Sequence, residues 1–142
     1  MDIEIATSPL DRERLIDGLR RHNRANAPDP GWQPFMLVLR SEDGAVTGGF
    51  IGESGWEWFH IQFLWIADHM RKQGWGRALL QRAEQEARAR GCRGIHLDTH
   101  SFQAPDFYQA LGYRTFGRLD DYPAGHRRYF MWKSLAGVTP EG

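Results

Sequence analysis

Arg71-Lys72-Gln73-Gly74-Trp75-Gly76 follows a largely apolar run over residues 60–66 and opens an amphipathic helix expected over residues 75–90. Strand, glycine turn and helix in that order make a cradle for phosphate. The first backbone N–H groups of a helix have no partner within it and carry partial positive charge, so a diphosphate can dock on main-chain donors alone. Gly74 and Gly76 let the backbone come close and accept positive φ. Arg71 and Lys72 add cationic charge beside the same anion.

The spacing excludes the two commonest phosphate motifs. A P-loop reads G-x-x-x-x-G-K-[ST], and no such string occurs. A dinucleotide fingerprint needs G-x-G-x-x-G on the first strand of a βαβ unit. Here Gly74-Trp75-Gly76 is followed by Arg77-Ala78-Leu79, and the motif lies in mid-chain.

With its context, Arg71-x-x-Gly74-x-Gly76 resembles the acyl-CoA pyrophosphate loop of the GNAT N-acetyltransferase superfamily, written R/Q-x-x-G-x-G/A. A second block agrees with it. Ser101-Phe102-Gln103-Ala104-Pro105-Asp106-Phe107-Tyr108-Gln109-Ala110-Leu111-Gly112-Tyr113 resembles the family segment in which a polar residue precedes a short, tyrosine-bearing helix ending in Gly-aromatic. Many members carry Asn where this chain has Ser101. The resemblance covers about residues 35–133.

The resemblance implies an α/β fold of the acyl-CoA N-acyltransferase type. Its central sheet is mixed and mostly antiparallel, with about seven strands flanked by helices, and splays between strands four and five where the pantetheine arm enters. It implies acetyl-CoA as cosubstrate, held by Leu64, Trp65 and Ile66 at the strand end, by Arg71, Lys72, Gln73, Gly74, Trp75, Gly76 and Arg77 around the turn, and by Ser101. Tyr108 falls where similar helices place a hydroxyl beside the sulfur, and is the candidate acid. His60 falls where several members keep a Glu that deprotonates the amine, and is the candidate base. An imidazole, with a pKa of roughly 6.5, suits base work near neutrality.

The chemistry asks for both groups. An alkyl ammonium of pKa about 10.4 must lose a proton before it attacks a thioester, and a thiolate leaving group is helped by an acid of pKa about 10 hydrogen-bonded to it. The expected function is therefore transfer of an acetyl group to a primary amine: a polyamine, an aminoglycoside-like compound, or a protein lysine or N-terminus. Asp120, Asp121 and Tyr122, with Gly125-His126-Arg127, form a loop that borders the acceptor pocket in similar enzymes, and its acids could attract a cation. Trp32, Trp56 and Trp58 are further acceptor candidates. The alternative from another class is a catalytically silent acyl-CoA-binding module.

Composition agrees with one soluble domain over residues 1–135, followed by a frayed tail over 136–142. The 142 residues are 41% hydrophobic and 25% charged, and 18 Lys plus Arg balance 18 acids, with no basic excess for nucleic acid. Glu84 with Arg88 and Glu86 with Arg90 read as i,i+4 pairs on a solvated helix face. The start Met1-Asp2-Ile3-Glu4-Ile5 lacks the pattern of a signal peptide, and no apolar run approaches membrane-spanning length, so a cytoplasmic location is expected. A homodimer is compatible with this reading. Cys92 is the single cysteine and reads as a small packed side chain. Glu53 and Asp98 read as turn caps. His96 and His100 are too far apart on a strand for a compact metal site, and no metal is implied.

The expected elements are strands over 3–6, 35–40, 45–53, 56–66 and 94–99, helices over 11–22, 75–90 and 104–111, and a closing hairpin of 113–119 with 128–133. Turns fall at Glu42-Asp43-Gly44 and Ser54-Gly55, and 23–34 is a Pro-rich loop. Period-two alternation places His60, Gln62, Leu64 and Ile66 on one face of their strand. Leu79, Leu80, Ala83 and Ala87 form the buried stripe of the main helix.

Overall fold

Ser8 opens the first helix, α1 (Pro9–Asn26), by accepting a hydrogen bond from the Leu10 N–H at 3.2 Å, with Pro9 in the first turn. The helix therefore begins before residue 11. Ala27 takes an extended conformation ahead of Pro28, as a residue preceding proline must, and ends it. The computed structural model describes residues 1–136; the tail expected beyond Ala136 lies outside them. Met1–Pro30 and the chain from Gly31 onward are separate compact units.

The strand expected over 3–6 is not formed. Met1 to Ser8 have no regular structure, and Ile3 and Ile5 are exposed. Four alternating residues become a strand only when another strand's edge receives them, and this segment pairs with none. Among the described residues the sheet consequently has six strands, not about seven.

Those strands are β1 (Gln33–Arg40), β2 (Val46–Gly55), β3 (Trp58–Ile66), β4 (Gly94–His100), β5 (Arg114–Asp120) and β6 (Arg127–Ser134), in the order β1-β2-β3-β4-β6-β5. Neighbours are antiparallel except β3 and β4. These two run parallel, with α2 (Trp75–Ala89) between them in the chain, and pair only at Trp58↔Gly94, Phe59↔Ile95 and His60↔His96. Beyond His60 the two strands part. This is the expected splay, and α3 (Pro105–Ala110) follows β4 on the way to the closing hairpin.

The β2–β3 turn falls two residues later than the sequence suggests. Ser54 stays in the strand because its hydroxyl accepts from Arg90 Nη1 at 3.1 Å, and Gly55 lies under the Trp32 ring, where any Cβ would collide. The chain reverses at Trp56 and Glu57 instead, both at positive φ. Arg93 secures the turn, donating its N–H to the Glu57 carbonyl at 2.7 Å and its Nε to the Glu57 carboxylate at 2.7 Å.

A bulge in β3 overturns simple alternation. Ile51 pairs with Phe63 and Gly52 with Ile61, leaving Gln62 as the extra residue. Phe59 and Ile61 point into the core before the bulge, and Leu64 packs against that core after it, so His60 and Leu64 lie on opposite faces. Phe63 and Trp65 are exposed on the open face.

Leu79, Leu80, Ala83 and Ala87 of α2 are buried against the other face with Phe50, Phe59, Ile95, Tyr113 and Met131, and Cys92 is buried with them. Arg90 ties the helix end to β1. Its guanidinium donates to the carbonyls of Gln33 and Pro34 and lies 5.3 Å from the Phe35 ring centre. The Glu86–Arg90 pair forms at 3.2 Å.

Glu84 departs from its expected pairing with Arg88. It is buried, accepts from Lys133 Nζ at 2.7 Å and takes the Tyr113 hydroxyl at 3.2 Å. Glu84→Ala should therefore lower stability by about 2–3 kcal/mol, less than for a fully buried pair, because 27% of the Lys133 side chain stays in water. Urea unfolding measures this. An unchanged midpoint would show that the carboxylate contributes nothing net.

Candidate active site

Past Ile66 a short 3₁₀ turn (Asp68–Met70) brings the chain to Arg71, whose Nε donates to the Ile66 carbonyl at 3.2 Å and pairs with Asp68 at 3.3 Å. Lys72 at φ 63° and Gly74 at φ 86° then turn the backbone onto α2. The first i→i−4 bond of that helix runs from Ala78 N–H to the Gly74 carbonyl at 3.1 Å. The N–H groups of Trp75, Gly76 and Arg77 precede it and have no intrahelical acceptor. The first turn carries no acid, so nothing on the helix itself competes for an anion.

These residues form the mouth of a cleft of about 860 Å³ that runs into the gap between β3 and β4. Leu64, Trp65, Ile66, Arg71, Lys72, Gly74, Trp75, Gly76, Arg77 and Tyr108 all line it. Ten of the residues expected at the site thus come together. Gln73 stands outside this lining, with its Nε2 donating to the His69 carbonyl at 3.4 Å. Ser101 also stands apart. Its Oγ accepts the Arg127 N–H at 3.0 Å and lies 3.3 Å from His126 Nδ1, beside a second hollow with Asp120 and Asp121.

Tyr108 sits on α3 with its ring edge-on to Phe107 at 5.1 Å and to Tyr113 at 5.7 Å. Burial pushes its hydroxyl up to about 12, which keeps it protonated at any working pH. Tyr113 is shifted the same way, by burial and by the Glu84 carboxylate, but its hydroxyl is committed to that carboxylate. Of the two, Tyr108 faces the cleft.

His60 lies just short of the lining residues, at the last paired position before β3 and β4 separate. Its ring stacks on His96 with centres 4.6 Å apart and planes at 8°. Nothing in the sequence around His96 marks it as a site residue. Only the strand register, which joins positions remote in the chain, reveals the pair.

Asp98 and Glu53 do not cap turns. Glu53 lies within β2 directly opposite His60, and Asp98 lines the cleft while binding Arg128 at 2.7 Å. Arg128 is further held over the Tyr122 ring at 4.9 Å. The loop acids expected to attract a cation are largely engaged, since Asp120 pairs with Arg118 at 3.0 Å and Arg127 at 3.4 Å, and Asp121 accepts the Gly125 N–H. The three tryptophans do not gather at one place. Trp32 pairs with Trp56 at 5.9 Å, whereas Trp58 packs with Trp132 and His96.

Among the described residues no group of three or more His, Cys, Asp and Glu side chains is placed to hold a metal ion, and no helix is long and apolar enough to cross a membrane.

The cleft thus joins a glycine turn that opens α2, an extended channel and the buried Tyr108 hydroxyl in its lining. The profile of the Acetyltransferase (GNAT) family matches residues 4–113. The chain is 41% identical over 102 residues to blasticidin-S acetyltransferase of Streptomyces morookaense, covering 71% of this chain and 75% of that one. A crystal structure of an acetyltransferase from Bacillus cereus ATCC 14579 superposes with a TM-score of 0.90 at 34% identity, over 94% of this chain and 97% of the other. A Bacillus anthracis str. Ames protein designated a streptothricin acetyltransferase, solved in complex with acetyl coenzyme A, shares the fold at a TM-score of 0.63 and 20% identity, over 77% of this chain and 64% of that one. With motif, cleft geometry and family profile in agreement, the chain belongs to the GNAT family of acetyltransferases.

Proposed function

We propose that the protein transfers the acetyl group of acetyl-CoA directly to a primary amine on a small cationic acceptor. The observation that carries this is the placement of Tyr108 in the wall of the cleft that begins at the free N–H groups of α2 and enters the gap between β3 and β4. The acetyl-CoA complex of the B. anthracis neighbour supports the choice of cosubstrate. The relation to blasticidin-S acetyltransferase makes blasticidin S the first acceptor to test.

In this reading the diphosphate docks on the N–H groups of Trp75, Gly76 and Arg77, with Arg71 and Lys72 supplying charge. The pantetheine arm lies along Leu64 to Ile66. The ammonium of the acceptor gives one proton to His60, and its nitrogen then attacks the thioester carbonyl. As the tetrahedral adduct collapses the C–S bond breaks and Tyr108 protonates the departing thiolate, while the second proton leaves the nitrogen to solvent, from which the tyrosinate is reprotonated. The products are an amide and free CoA.

The test is a panel of amines with acetyl-CoA, comprising blasticidin S, a polyamine, an aminoglycoside and a lysine peptide, read by free-thiol release and product mass. Amine-dependent thiol release with one added acetyl group supports the proposal. Tight acetyl-CoA binding with no turnover on any amine would favour a silent binding module.

His60 has its own test. A base works only when deprotonated, so the rate should fall toward low pH, and this acidic limb should vanish in His60→Gln. Gln keeps polarity and reach without basicity. If the limb persists at a little-reduced rate, the base is another group or solvent.

A further inference from the structure

His60 and His96 occupy the last register pair before β3 and β4 separate, at the vertex of the gap and just short of the residues that line the cleft. A strand ladder brings two such side chains near each other but does not make their rings parallel. Here the planes differ by 8° at a separation of 4.6 Å. The His96 ring is itself hemmed in, with Trp58 edge-on at 6.1 Å and with Trp132, its register partner on β6, lying 5.9 Å from Trp58.

The charges around the pair are unequal. Glu53 of β2 lies opposite His60, on the side away from His96. On the other side Asp98 of β4 is engaged by Arg128 of β6, and Arg114 of β5 lies one strand further on, 5.5 Å over the Trp132 ring. Burial holds His96 below the usual imidazole range, and a positive His60 adds to the effect, against the pull of Asp98. Two positive rings stacked this closely would repel strongly. One positive ring over one neutral aromatic ring is favourable.

We propose that His96 is a positioning residue for the reaction: it stays uncharged against His60, fixes the plane of that ring, and leaves His60 as the single proton acceptor of the pair. This rests on His60 acting as the base. The role asks for an aromatic face at position 96 and makes no use of its nitrogens. That separates it from a second proton carrier, for which the nitrogens are essential and the face incidental.

The experiment compares His96→Ala, His96→Gln and His96→Phe with wild type in kcat, in KM for acetyl-CoA and in the pH profile, after circular dichroism has confirmed folding. The two non-aromatic variants should each lose about tenfold in kcat with KM for acetyl-CoA unchanged. His96→Phe should recover to within about threefold of wild type and keep the acidic limb. Having two non-aromatic variants guards against one that fails to fold. Phe as slow as Ala or Gln would overturn the proposal by giving the nitrogens a role, and Ala or Gln as fast as wild type would overturn it by removing any role. An acidic limb that survives in His60→Gln would instead sink the assignment of the base, so the two failures are told apart.

Discussion

Tyr108→Phe is expected to lower turnover by roughly 10²- to 10⁴-fold while acetyl-CoA affinity barely changes. The ring makes the packing contacts, edge-on to Phe107 and Tyr113, and phenylalanine preserves them. The variant removes the hydroxyl alone. Because burial raises that hydroxyl to about 12, it remains a proton donor across the whole assay range, and no alkaline limb below about pH 11 should originate from it. Steady-state kinetics with a fixed amine and calorimetry with acetyl-CoA separate the two parameters. Turnover equal to wild type would reduce Tyr108 to a packing residue.

Gly74→Val should weaken acetyl-CoA binding by at least about a hundredfold in a protein that still folds. Gly74 has φ 86°, and a Cβ there would touch nothing within 4 Å. The damage therefore comes from the backbone and not from a clash. A β-branched residue is strained in the left-handed region, and relief of that strain re-aims the N–H groups of Trp75, Gly76 and Arg77. Losing two charge-assisted hydrogen bonds, each about 1.5–3 kcal/mol, accounts for the size of the effect. Gly44 offers a matched control: it has the same φ of 86° and open space around it, but lies in the β1–β2 turn. Gly44→Val should leave affinity intact. Unchanged affinity in a folded Gly74→Val protein would remove the anion cradle from the argument.

The parts of the candidate site whose placement is legible in the sequence are those that lie together in the chain. Arg71 to Arg77 form one turn, and Leu64 to Ile66 lead directly into it, so motif and geometry coincide. Tyr108 was readable because its own short helix carries the family pattern. What stayed hidden depends on register. The stack of His96 on His60 needs a parallel pairing across an intervening helix, and Asp98 finds Arg128 only through β6. The bulge at Gln62 has no composition signal and reverses the faces of everything after it. Ser54-Gly55 reads as a turn because Ser-Gly pairs usually mark one, whereas Gly55 admits the Trp32 ring. Residues 3–6 alternate as a strand would, but alternation carries no information about whether an edge is available.

The narrow junction between β3 and β4 also bears on how the chain assembles. Among the described residues, the ladder that joins β1, β2 and β3 to β4, β6 and β5 is confined to Trp58–His60 paired with Gly94–His96. β1, β2 and β3 are consecutive hairpins with short turns, so they can close early at little entropic cost, and the β5–β6 hairpin can do likewise. The parallel junction has to wait until α2 has crossed the sheet and docked. The expected order of assembly is therefore the β1–β3 meander and the β5–β6 hairpin first and their union afterwards, with the gap between β3 and β4 the last feature to take shape.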